Sequence, residues 1–170
     1  MRRKGIPRRS GDDDMILNEV GVNSENADLQ LYRALSAGDL PAAYLVSGVI
    51  NKNKTYSGVN SATAFNRGLC LFLLEEYESA LSELKRAEQL SSNLPELDIA
   101  DKTLFAKSLE LSSCTKELVL LPLDPDSAKS CARYVLIRVK WLTALCLKAL
   151  GRDGEASVIK RFLTQYNIEL

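Results

Sequence analysis

"SATAFNRGLCLFLLEEYESALSELKRAEQL", residues 61–90, decides the fold. Phe65, Leu69, Phe72 and Leu73 recur at helical spacing, with Gly68 and Leu71 on a neighbouring face. After Glu75-Glu76 the pattern restarts as Tyr77, Ala80, Leu81, Leu84, Ala87 and Leu90, in steps of three and four. That is a second amphipathic helix, closed by Ser91-Ser92-Asn93-Leu94-Pro95. Gly68 inside the first helix costs about 1 kcal/mol relative to alanine. Its use is explained if Gly68, Ala80 and Ala87 let two helix backbones approach where a larger side chain would clash.

The flanking sequence reads the same way. Leu29, Tyr32 (or Leu31) and Leu35 form a stripe that stops at Ala37-Gly38-Asp39, where Gly38 suits a left-handed helix stop and Asp39 a cap. Pro41 falls in the first turn of the next helix, where its missing N–H is harmless. That helix carries Ala42, Ala43, Leu45, Val46, Val49 and Ile50 and ends near Asn51–Tyr56, before a Gly58–Asn60 loop. Leu97, Ala100, Leu104 and Leu111 predict a further helix. The apolar run Leu118–Leu121 either finishes a partner helix beginning near Ser113 or is a loop packed on the core. Asp124-Pro125 predicts the start of a long helix that runs to Leu150. Gly151–Gly154 turns the chain into a last helix over Ala156–Tyr166. No stretch alternates as a strand would.

Three of these turns align: Gly38, Glu75 and Gly151 each end a helix and are followed five residues later by a small residue, Ala43, Ala80 and Ala156. Gly38 and Glu75 stand 37 residues apart, and Glu75 and Gly151 stand 76 apart, about two such steps. A fixed period of this length signals an α-solenoid. At this point the chain resembles the tetratricopeptide repeat family. The family's places fall on Ala64, Arg67, Gly68, Leu71, Ala80, Leu84 and Ser92. Gly68 and Ala80 match, Ala87 takes the second small position, and the tryptophan, leucine and closing proline are absent. One good repeat (about 61–94) and two degenerate ones (about 27–56 and 130–168) imply an all-α, right-handed solenoid of stacked antiparallel helix hairpins. The domain expected is 26–170. Residues 1–25 are read as a disordered arm, basic at first and then Asp12-Asp13-Asp14.

The 170 residues, 46% hydrophobic and 26% charged, can bury one core. Lys plus Arg equals Asp plus Glu at 22 each, which gives no electrostatic reason to expect nucleic-acid binding. The local cations Arg133, Arg138 and Lys140 are the place such binding would use. Cys70, Cys114, Cys131 and Cys146 form no C-x-x-C pair and the chain has no histidine, so finger-type zinc sites lack ligands. Cys70 and Cys146 lie in apolar helical patterns and are expected as small buried hydrophobes in a reducing compartment. Gly5–Ser10 stand where a secretory signal would need an apolar segment, and Tyr134–Leu150 carries Arg138, Lys140 and Lys148. The expectation is a cytoplasmic chain with no membrane partner.

No nucleophile–base set is suggested by any spacing, and there is no phosphate-binding loop or dinucleotide turn. Glu75, Glu76 and Glu78 read as a solvated tip rather than a metal site. The chain is expected to be no enzyme and to need no cofactor. By resemblance, the first helices line a concave groove with Asp28, Tyr32 and Leu35, then Phe65, Asn66, Leu69 and Phe72, then Arg138, Trp141, Leu145 and Lys148. Aromatic and Arg side chains are usual anchors of peptide recognition. Some relatives clamp acidic C-terminal tails, but Asp28 and Tyr32 stand where such a clamp wants Lys and Asn, so an amphipathic or extended apolar segment suits the groove better. Small bacterial secretion chaperones resemble the chain in size and build. The function implied is an adaptor or chaperone-like module with a protein or peptide partner. The alternative is a homodimer seamed along Val158–Leu170 through Ile159, Phe162, Leu163 and Tyr166.

Overall fold

The computed structural model describes residues 26–52, 60–92, 119–126, 128, 132–166 and 168–170. Six helices lie in these residues, with no strand among them: α1 Ala27–Ser36, α2 Leu40–Lys52, α3 Ser61–Leu73, α4 Tyr77–Ser91, α5 Ala132–Ala149 and α6 Asp153–Thr164. The expected arm over 1–25, the helix on Leu97–Leu111, the start near Ser113, and Cys114 and Cys131 lie outside the described residues.

Helix starts follow cap chemistry. Asp39 Oδ1 accepts from the Ala42 N–H at 3.1 Å ahead of Pro41, and Asn60 Oδ1 accepts from the Thr63 N–H at 2.8 Å. Asp124 makes the bonds expected of a cap: its side chain accepts from the Asp126 N–H at 3.1 Å and its carbonyl from the Ala128 N–H at 3.0 Å, ahead of residues 129–131, which lie outside the described residues. The helix with described bounds begins at Ala132.

The three aligned turns share one geometry. Gly38, Glu75 and Gly151 have φ of +72°, +63° and +70°. At each, the left-handed residue donates to the carbonyl three residues back, and the next residue donates to the carbonyl five back: Gly38 to Leu35 and Asp39 to Ala34, Glu75 to Phe72 and Glu76 to Leu71, Gly151 to Lys148 and Arg152 to Leu147. This is the Schellman pattern, which satisfies the last carbonyls of a helix. Each turn then delivers a buried alanine, Ala43, Ala80 and Ala156.

The turns pair α1 with α2, α3 with α4 and α5 with α6. Contacts also run from α1 to α3 and α3 to α5, and from α2 to α3 and α4 to α5. Most apolar side chains join one core, including Phe65, Leu69, Leu84, Trp141, Leu142 and Leu163. A smaller cluster joins Ala27, Leu31, Ala43, Val46 and Ile50 to Cys70 of α3. Gly68 is buried against α4: a Cβ there would stand 2.9 Å from Leu84 Cγ and 3.4 Å from the Ala80 carbonyl oxygen. The close approach expected at Gly68 is therefore real, and Leu84 is the atom group that fills the space.

Candidate functional site

Helices α3 and α5 bring together two polar side chains that the sequence placed on one groove. Asn66 is fully buried on α3. Its Nδ2 donates to the Leu123 carbonyl at 2.8 Å, and the Leu123 N–H donates back to Oδ1 at 2.7 Å. Arg138 on α5 is 2% exposed. Its Nη2 donates to the carbonyls of Val119, at 3.5 Å, and Leu121. Nη1 donates to Tyr134 Oη at 2.6 Å. The guanidinium also lies over the rings of Phe65 and Tyr134, with centroids 5.3 and 5.4 Å away. Cation–π attraction and charge-assisted bonds offset the cost of taking the cation out of water. Burial lowers the Arg138 pKa, with Tyr134 acting in the opposite direction.

Val119–Leu123 thus lies across the α3–α5 face. Val119 has helical backbone and Leu120 a turn, while Pro122–Asp124 is irregular. Val119 and Leu123 belong to the main core, whereas Leu120 and Leu121 are 38% and 54% exposed. Of the run read over 118–121, Val119 is packed in the main core; Leu118 and the helix expected to begin near Ser113 lie outside the described residues.

The other expected groove residues separate into classes. Phe65, Leu69 and Trp141 are buried in the main core with Asn66 and Arg138. Asp28, Tyr32, Leu35, Phe72 and Leu145 are half-buried and Lys148 is exposed. Asp28 bonds the neighbouring Leu29 N–H, and the Tyr32 carbonyl accepts from Ser36 Oγ, both within α1. Lys148 lines a small cavity with Asp153 and Leu170, apart from Arg138. Tyr134, Val119 and Leu123 were missed. The Tyr134–Arg138 spacing of four was the available signal, because residues at i and i+4 meet on a helix.

The cations considered for nucleic acid are engaged elsewhere: Lys140 pairs with Glu88 at 2.6 Å, and Arg133 lies over Phe162 and Tyr166. Leu163 is buried and Ile159, Phe162 and Tyr166 pack against the core, leaving Val158, 67% exposed, on α6. Val158 edges a 720 Å³ cleft between α4 and α6. Its charged rim is internally paired, with Arg152 bonding Glu155 at 2.7 Å and reaching Glu78 at 3.5 Å.

Cys70 and Cys146 are free and buried, and burial pushes their thiols up to about 11 and about 12. Among the described residues no group of three or more Cys, Asp or Glu is placed to hold a metal, and no helix is long and apolar enough to cross a membrane. What the α3–α5 face does chemically is hold a main chain: an amide pairs with both backbone groups of one residue, and a guanidinium gathers two carbonyls. No family model, curated protein or solved structure matches the chain.

Proposed function

We propose that the chain is a non-catalytic protein-interaction module, an adaptor or chaperone-like α-solenoid of tetratricopeptide type. Its first helices would present a groove to an extended apolar segment of a protein partner. Three turns of one geometry, each followed by a buried alanine, support a repeated hairpin. So does the contact order, first helix to first helix and second helix to the next first helix, which stacked hairpins make. Free thiols at Cys70 and Cys146 suit a reducing cytoplasm.

The observation that carries the reading is the pair of bonds between Asn66 and the Leu123 backbone, beside the Arg138 bonds to carbonyls. These are the contacts a groove makes with a peptide it accepts by its main chain. The test is selection from a displayed peptide library on the immobilised chain, with photo-crosslinking to locate the bound peptides. Apolar peptides crosslinked to α3 and α5 are expected. Selected peptides that crosslink elsewhere, or bind Asn66→Ala as well as the parent, would refute it.

A further inference from the structure

The cleft between α4 and α6 has an apolar middle and two charged ends. Leu81 of α4, Leu147 of α5 and Ile159 of α6 line it, and Val158 stands at its edge with 67% of its surface exposed. Covering that side chain is favourable for any apolar occupant, so the charges decide which occupant fits.

The helix directions follow from the bonds. Glu78, in the first turn of α4, reaches Arg152, the N-cap of α6, at 3.5 Å. Lys85 of α4 and Val158 and Ile159 of α6 lie further along the same cleft. The two helices therefore run the same way from a shared amino-terminal end. At that end two carboxylates, Glu78 and Glu155, share one guanidinium, that of Arg152. Toward the other end Lys85 and Arg161 are exposed, and neither has an ion-pair partner among the described residues. Each helix thus presents acid, apolar residue and base in the same order: Glu78, Leu81 and Lys85 on α4, Glu155, Val158 and Arg161 on α6. Steps of three and four keep each set on one side of its helix.

Two such stripes attract when antiparallel, because acid then meets base at both ends and the apolar residues meet in the middle. Glu155 and Arg161 stand 6 positions apart and Glu78 and Lys85 stand 7 apart. These spans are about 9 and about 10.5 Å along a helix, so both ends stay in register. A two-fold axis supplies the antiparallel arrangement, since each copy offers the other the same patch.

We propose that this cleft is the seam of a two-fold dimer, in which α6 of each copy lies along the α4–α6 cleft of the other. Val158 enters beside the partner's Leu81, Glu155 faces the partner's Lys85, and Arg161 faces the partner's Glu78. Exposed ion pairs contribute little each, so Val158 supplies affinity and the charges set direction. This is not the seam read from the sequence, whose Phe162, Leu163 and Tyr166 pack inward. It leaves Asn66 and Arg138 untouched, and so stands or falls apart from the peptide groove.

The test is sedimentation of the full chain at concentrations up to about 1 mM, with circular dichroism as the check on folding. A monomer–dimer equilibrium is expected for the parent. Val158→Asp, at an exposed position, is expected to keep the helical signal and lose the dimer. Arg161→Glu is expected to weaken the dimer about tenfold, since the two-fold counts each altered pair twice. Adding Glu78→Lys exchanges the ends of that pair and is expected to restore the dimer.

A parent that stays monomeric across that range would overturn the proposal. So would a dimer that Val158→Asp leaves intact, which places the seam elsewhere. A double variant that dimerises no more tightly than Arg161→Glu alone would overturn the antiparallel pairing, and with it a second copy as the occupant. Should Val158→Asp unfold, the charge exchange at exposed Glu78 and Arg161 decides alone.

Discussion

Asn66 bonds both main-chain groups of Leu123, a residue 57 positions later, with its amide at 2.8 and 2.7 Å. One side chain thereby ties α3 to a segment with no periodic pattern of its own. Asn66→Ala would strand a buried N–H and a buried carbonyl. The expected loss is about 2 kcal/mol, since each unsatisfied group costs about 1 to 3 and release of the segment limits the total. Urea unfolding measures it, and an unchanged midpoint would show that the paired bonds contribute nothing.

Gly68→Ala separates two opposed effects. Helix propensity alone favours alanine by about 1 kcal/mol. The new Cβ would stand 2.9 Å from Leu84 Cγ, and Leu84 is fully buried with little room to retreat. Overpacking of this kind costs about 1 to 3 kcal/mol, so net destabilisation is expected. Adding Leu84→Val should recover part of it, seen as favourable coupling in a double-mutant cycle. A Gly68→Ala chain more stable than the parent would remove close approach as the reason for the glycine.

Glu75 holds the turn position that Gly38 and Gly151 hold elsewhere, at φ +63°. A left-handed backbone costs an ordinary L-residue about 1 to 2 kcal/mol, and glycine much less. Glu75→Gly is therefore expected to raise stability by about 1 kcal/mol, net of glycine's unfolded-state freedom. Gly38→Ala and Gly151→Ala should lower it. Thermal unfolding of the three variants reads the signs, and a common sign would contradict the shared turn.

The buried thiols give an alkaline signature. Cys70 and Cys146 are held up to about 11 and about 12 against an ordinary 9.0, chiefly by burial. The folded state thus keeps its protons where the unfolded chain loses them. The stability this supplies is full below about pH 9 and declines as pH rises towards 11 to 12. Iodoacetamide at pH 8 should label both sites only as fast as the chain opens. Rapid labelling without loss of helical signal would place a thiol at the surface.

The turns were legible because a left-handed stop has its own residue chemistry, and the three spacings placed Gly38, Glu75 and Gly151 correctly. Gly68 was legible for a similar reason, since a glycine in a good helix needs a cause. The groove was less so. The resemblance puts Phe65 and Leu69 of α3 and Trp141 of α5 on one groove, but cannot say whether another segment covers them. Val119–Leu123 packs in the same core, held to Asn66 and Arg138 by bonds that no spacing announces. That burial also changes how the groove is probed: Phe65→Ala with Trp141→Ala would excavate the core, at about 3 to 5 kcal/mol for each ring, instead of stripping a surface.

Cys70 belongs to α3, yet it completes the small cluster of Ala27, Leu31, Ala43, Val46 and Ile50. The first hairpin is joined to the remainder through the Cys70 sulfur, through Leu35, which packs against both clusters, and through the Arg67–Ser47 bond. An adduct or an oxidised sulfur at Cys70 is therefore expected to loosen the amino-terminal pair of helices before the larger cluster.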